Sequence, residues 1–219
     1  MTRIVLVRHG ETEWHTDNRY AGRTDVALTP LGHRQAETLA GWATAADLDA
    51  IWCSPLSRAR DTAAVVASAT GHELRIDDRL VELDFGEAEG LTADDMSSRF
   101  PDRLAAFRAD PVAHHLPGGE DPNEAVLRAV AVTTDITGAH PDGRVLVVAH
   151  TTLIRLLLCH LMGVETREYR RVFPFVRNGA ITEIGLRGGV TSLIQFNAPP
   201  ETVAPAPVER AGGRKVEAR

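Results

Sequence analysis

Lysine is nearly missing from these 219 residues. Of the 24 basic residues, Lys215 is the one lysine and the rest are arginine. That removes Schiff-base chemistry and the Gly-rich, Lys-bearing phosphate loop from the main body of the chain. Cysteine is scarce too. Cys53 and Cys159 stand far apart and make no disulfide framework, so a reducing, cytoplasmic setting is expected. No apolar run approaches the ~20 residues that cross a bilayer, so no membrane partner is expected. The opening "MTRIVLV" lacks the apolar stretch and cleavage site of a secretory leader. A basic excess is also absent. The formal net charge is −6, which argues against nucleic acid as a partner.

What is present reads as alternating strands and helices. Residues 3–7 form a buried strand. Residues 29–45 form a helix with Thr29 as N-cap and Pro30 at its first position. Residues 48–53 are a second strand, and 54–71 a second helix closed by Gly71. "HELRID" is a short third strand. The polar stretch 92–116 reads as short helices. Residues 121–138 form another helix, and "RVLVVA", 144–149, has the continuous apolar character of a central parallel strand. A helix follows from Thr151, then a final strand pair, "AITEIGL" and "TSLIQF". The class is α/β: a three-layer sandwich with a mostly parallel central sheet between helices and a small helical insertion at about 92–120 over the site. One domain is expected over 1–198. The stretch 199–219, with its Pro and Gly and no aromatic residue, is expected to be a flexible tail.

Polar residues gather where strands end. The run "RIVLVRHGETEW", 3–14, stops at Arg8, His9 and Gly10. Arg58 follows the second strand, Glu82 the third, and His150 follows "RVLVVA". In an open parallel sheet those ends share one crevice. Each residue alone has a bland reading: a turn histidine, one arginine among many, a solvated carboxylate. Cys53 reads as a buried small residue, Trp14 as packing, and His114–His115 as a solvated pair. Convergence carries the argument. Two arginines and two histidines make a compact cationic site, and arginine forks match phosphate oxygens. A neutral imidazole can take a phosphoryl group. Glu82 would then protonate the departing alkoxide and later activate water.

"LVRHGETEW", "NRYAGRTDVALTPLGHRQAETLA", "CSPLSRARDTA", "LVELDFGEAEGLT", "PGGED" and "VLVVAHTTLIR" occur in an order that resembles the histidine phosphatase superfamily, the phosphoglycerate mutase-like proteins. The resemblance spans about residues 3 to 196. It implies that His9 is the phosphorylated nucleophile and Glu82 the general acid/base. It places Arg8, Arg58 and His150 around the phosphate, and it makes Gly10 the residue that lets the backbone turn behind His9. It implies neither metal nor organic cofactor. Two positions depart from the family pattern. His15 stands where the family has a phosphate-contacting Asn, and would donate a hydrogen bond or add positive charge. Thr151–Thr152 replaces a Gly pair, narrowing the pocket and bringing a hydroxyl within reach of phosphate.

The interval between Glu82 and Pro117 is short, and the mutase-type Asn-Glu-Arg-x-Tyr-Gly segment is missing, which resembles the phosphatase branches. The expected activity is hydrolysis of a small phosphomonoester. The alternatives are a mutase-type transfer and a weakly catalytic phosphate-binding module; a metallohydrolase is disfavoured because the histidines lack ligand spacing. Selectivity is assigned to the 92–120 insertion, with Arg108, His114 and His115. A homodimer is left open.

Overall fold

The computed structural model describes residues 1–200, so the tail expected over 199–219 lies almost wholly outside the described residues. Six strands form one sheet: β1 (Thr2–Arg8), β2 (Ala50–Cys53), β3 (Leu74–Ile76), β4 (Arg144–Ala149), β5 (Ile181–Arg187) and β6 (Val190–Ala198). Their order across the sheet is β3-β2-β4-β1-β5-β6. The first four run parallel; β5 pairs antiparallel with β1, and β6 with β5.

Period-two alternation sends side chains to two separate cores. From β1, Ile4 and Leu6 join Val145 and Val147 of β4 on one face. There they meet α5 (Pro122–Ala139) and α6 (Thr151–Leu161) through Ala129, Val132, Ile136, Leu153 and Leu157. Val5 and Val7 join Leu146 and Val148 on the other face, against Leu39 and Ala43 of α1 (Pro30–Ala43) and Ala59, Ala63 and Val66 of α2 (Ser57–Thr70). Each large aliphatic side chain buried this way contributes about 1.5–3 kcal/mol of transfer free energy. All six residues of β4 are buried, which is why its sequence is almost unbroken apolar. Cys53 lies in the second core, where burial pushes its thiol up to about 12. It is an inert packing residue.

Helix ends follow their local chemistry. Thr29 Oγ1 accepts the Gly32 N–H at the start of α1, with Pro30 at the first position. Gly71 closes α2 at φ 73°, in the left-handed region. The start of α2 differs from expectation: the N-cap is Leu56, and Ser54 and Pro55 lie outside the helix. The 92–116 stretch contains α3 (Ala93–Arg99) and α4 (Pro101–Ala109). Met96, Leu104, Phe107 and Leu116 are buried in the first core. The short helix α7 (Tyr169–Val172) precedes the final strand pair.

Candidate active site

The two histidines meet because β1 and β4 pair in register. Arg8 lies opposite Ala149, and the His9 N–H donates to the Ala149 carbonyl at 3.1 Å. The next residue on each strand is therefore a histidine at the carboxyl end of the sheet. The chain leaves β1 to one side and β4 to the other, so this is the point where strand order reverses. The His9 and His150 rings are 5.2 Å apart between centroids and tilted by 57°.

His9 Nδ1 donates to the Gly10 carbonyl at 2.7 Å. A carbonyl only accepts, so the proton sits on Nδ1 and the lone pair on Nε2. Burial, then the Arg58 and Arg8 charges, push the His9 pKa well below the usual histidine range. The ring is neutral at neutral pH and keeps the Nε2 lone pair. His150 is fully buried, and neither ring nitrogen has a partner among the described residues. Burial and the Arg58 charge lower its pKa too.

Gly10 is needed for a different reason from the one its sequence context suggests. Its φ is not positive. A Cβ there would stand 2.5 Å from the Gly32 carbonyl oxygen, so the requirement is close packing of the His9 loop onto the start of α1. The Gly10 N–H donates to Thr62 Oγ1 at 3.0 Å, which ties the same loop to α2.

The arginines differ in setting. Arg58 has no exposed surface. Its Nη1 donates to the Thr24 carbonyl at 2.8 Å and its Nη2 to the Gly22 carbonyl at 2.6 Å, while Nε has no partner. Arg8 Nη1 donates to the Val176 carbonyl at 2.8 Å and Nη2 to His15 Nε2 at 2.5 Å; its Nε is also unpaired. Burial is the main cause lowering the Arg8 pKa to about 10, so it stays a cation at neutral pH.

His15 departs from expectation. A guanidinium can only donate, so His15 Nε2 is an acceptor toward Arg8, while Nδ1 lies 3.0 Å from the Thr12 N–H that donates to it and 2.8 Å from Thr12 Oγ1. Burial and the Arg8 charge lower its pKa to about 4. It therefore adds no positive charge, and its Nε2 is occupied by Arg8.

Glu82 is 2% exposed and caps α6. Its Oε1 accepts the N–H groups of Leu83 at 2.8 Å and Leu153 at 2.9 Å, and its Oε2 that of Thr152 at 2.9 Å. Such capping satisfies helix-end donors that would otherwise lack partners. Oε2 keeps a lone pair, and Glu82 is the one carboxylate lining the cavity at this site.

That cavity holds about 430 Å³, within the ~300–1,000 Å³ of small-molecule sites. Arg8, His9, His15, Glu82 and Thr151 line it, as expected. Arg58 and His150 do not; each instead touches a lining residue, His150 the His9 ring and Arg58 the Ala21 carbonyl. Trp14 lines the cavity, not merely the core. The 92–120 insertion contributes no lining residue, so its assigned part in selectivity is corrected. His114 and His115 line a separate depression with Arg103, and Phe107 acts only from behind, under Arg170 at 4.3 Å. Sequence reasoning missed Tyr20, Phe85, Arg155 and Arg170 on the cavity wall. Arg155 could have been found, since it stands four residues after Thr151 on the same helix face. Arg170 in "REYRRVF" gives no signal in an arginine-rich chain.

A sequence model described as Histidine phosphatase superfamily (branch 1) matches residues 4–199. Phosphoserine phosphatase 1 of Hydrogenobacter thermophilus is 31% identical over 169 residues, 77% of this chain and 80% of that one. The solved structure of Bacillus stearothermophilus YhfR superposes with a TM-score of 0.85 at 27% identity, over 90% of this chain and 98% of its own. The Entamoeba histolytica phosphoserine phosphatase, solved in complex with 3-phosphoglyceric acid, gives a TM-score of 0.81 at 27% identity, over 90% and 98%.

Proposed function

The chain belongs to the histidine phosphatase superfamily, branch 1, and from that premise we propose that it hydrolyses small phosphomonoesters through a phosphohistidine on His9. One observation carries this reading. His9 presents an unengaged Nε2 at the strand-order reversal, beside His150 and under the charge of two guanidiniums, Arg58 and Arg8, whose Nε groups have no partner among the described residues. Buried donors without partners are costly, and phosphoryl oxygens would satisfy them.

In the first step His9 Nε2 attacks phosphorus. The N–P bond forms, the P–O ester bond breaks, and the alcohol leaves with a proton from Glu82 Oε2. In the second step Glu82 takes a proton from water, whose oxygen attacks phosphorus. The N–P bond breaks, inorganic phosphate leaves, and His9 is restored. The guanidiniums neutralise charge on the transferring group and a neutral His150 donates a hydrogen bond to it, so no metal is required. The relatives' names support a phosphatase, and make O-phosphoserine and 3-phosphoglycerate the first metabolite esters to assay.

The test is release of phosphate from p-nitrophenyl phosphate, with acid quenching after labelled substrate. Expected are turnover that a chelator does not change, loss of it in His9→Ala, and a labelled protein adduct stable in base and labile in acid. Full turnover by His9→Ala would overturn the proposal. Isomerised product in place of free phosphate from 3-phosphoglycerate would move the chain to the mutases. Phosphate binding with no turnover at all would make it a binding module.

A further inference from the structure

Nine arginines among the described residues are buried or half-buried. Five of them, Arg3, Arg19, Arg79, Arg128 and Arg144, have a carboxylate within 4.0 Å. The other four are Arg8, Arg58, Arg155 and Arg170: three line the His9 cavity, and Arg58 Nη2 reaches the carbonyl of Ala21 on its wall at 3.5 Å. Carboxylates are plentiful here, with 30 Asp and Glu against 24 basic residues. The fold nonetheless leaves its partly desolvated, unpaired cations in one place. Arg8 and Arg58 are accounted for by the phosphoryl group. Arg155 and Arg170 are not.

Both are held in fixed poses. Arg155 Nε donates to the Phe173 carbonyl at 2.6 Å, and its guanidinium carbon sits 4.8 Å from the Tyr169 ring centroid. Arg170 Nε donates to the Tyr169 hydroxyl at 2.9 Å, and its guanidinium carbon lies 4.3 Å from the Phe107 centroid. Stacking of this kind fixes an arginine while leaving its fork end for a ligand. A purely structural reading, in which the two cations only pack on rings, does not explain why both line the cavity with no carboxylate in ion-pair contact, the one carboxylate on that wall, Glu82, being taken up by backbone N–H groups. Besides burial, the Arg155 charge lowers the pKa of Arg8 and the Arg170 charge that of Arg155, so neighbouring guanidiniums in the cluster repel one another. Trp14, Tyr20 and Phe85 also line this cavity and give an alcohol group apolar surface.

We propose that Arg155 and Arg170 form a second oxyanion subsite in the cavity that holds His9, so that the preferred substrate is a compact phosphomonoester whose alcohol part carries another anionic group, a carboxylate or a second phosphate. This rests on the reading of the His9 end as the phosphoryl site. Arginine forks accept both kinds of oxyanion, and the distance between the subsites selects for chain length.

The experiment measures binding to His9→Ala, which cannot consume its ligand. Two matched pairs serve as probes: 2-phosphoglycolate against ethyl phosphate, and propane-1,3-diol bisphosphate against propyl phosphate. The doubly anionic member of at least one pair is expected to bind about 10- to 150-fold more tightly, the factor for a hydrogen bond to a charged group. Which pair shows it distinguishes carboxylate from phosphate. Adding Arg155→Met or Arg170→Met is expected to remove most of that preference while ethyl phosphate binds as before. Arg155→Lys is expected to restore part of it. Equal binding within both pairs overturns the proposal. So does a preference that survives both substitutions, or a variant that weakens both members of a pair equally, which marks a structural role. Failure of the hydrolytic reading appears elsewhere, as absence of turnover by the unmodified chain, and leaves this binding contrast intact.

Discussion

Arg8 Nη2 donates to His15 Nε2 at 2.5 Å, which joins the strand-tip cation to a histidine seven residues later in one rigid pair. The pair exists only while His15 is neutral. Protonation would set two donors against each other and free the Arg8 fork.

That relationship gives a pH prediction. The His15 pKa is lowered from 6.5 to about 4 by burial and by Arg8, and those of His9 and His150 move the same way. Between about pH 6.5 and 4 the unfolded chain binds more protons than the folded one, so stability rises with pH through that window and falls on acidification. Thermal melting across pH 4–7 is expected to show this slope. His15→Asn is expected to flatten part of it; a variant with an unchanged slope would remove His15 as a contributor.

Glu82→Gln is expected to have two separable effects. An amide presents one acceptor and one donor group, so at least one of the Leu83, Thr152 and Leu153 N–H bonds is lost. Urea denaturation should report about 1–3 kcal/mol of lost stability. Turnover of alkyl esters should fall by about 10²- to 10⁴-fold, and that of activated aryl esters far less, because only poor leaving groups need the proton. Equal losses on both would take the acid role from Glu82.

For Arg58→Ala, inhibition by free phosphate is expected to weaken by about 10- to 150-fold. Two backbone carbonyls, of Gly22 and Thr24, also lose their donor. Arg58→Lys should rescue little, since one ammonium cannot span both carbonyls and still present a donor where Nε stands. Unchanged phosphate inhibition in the alanine variant would separate Arg58 from the anion.

Gly10→Ala places a Cβ 2.5 Å from the Gly32 oxygen. Overpacking of this kind costs about 1–3 kcal/mol. The shift also moves the Gly10 carbonyl that orients His9, so the melting temperature and kcat should fall together. A fall in stability alone would mean that the loop yields without disturbing the imidazole.

Much of this protein was settled by local pattern. Unbroken apolar runs marked β1 and β4, period-two alternation divided their side chains between two cores, and Thr-Pro and Gly marked the ends of α1 and α2. His9, Arg8, Glu82 and His150 are marked in the sequence itself, as polar residues that follow strand-like runs. Side-chain placement was decided by tertiary structure, because it depends on partners distant in sequence. The in-register pairing of β1 with β4, 141 positions apart at Ile4 and Val145, sets the two imidazoles side by side. Arg8 takes His15 as its acceptor, and Glu82 becomes the cap of a helix 70 residues later. Arg155 and Arg170 enter the cavity wall only because Tyr169 and Phe107 hold their guanidiniums there. No periodicity encodes such meetings; they follow from which loops the folded sheet brings to its carboxyl edge.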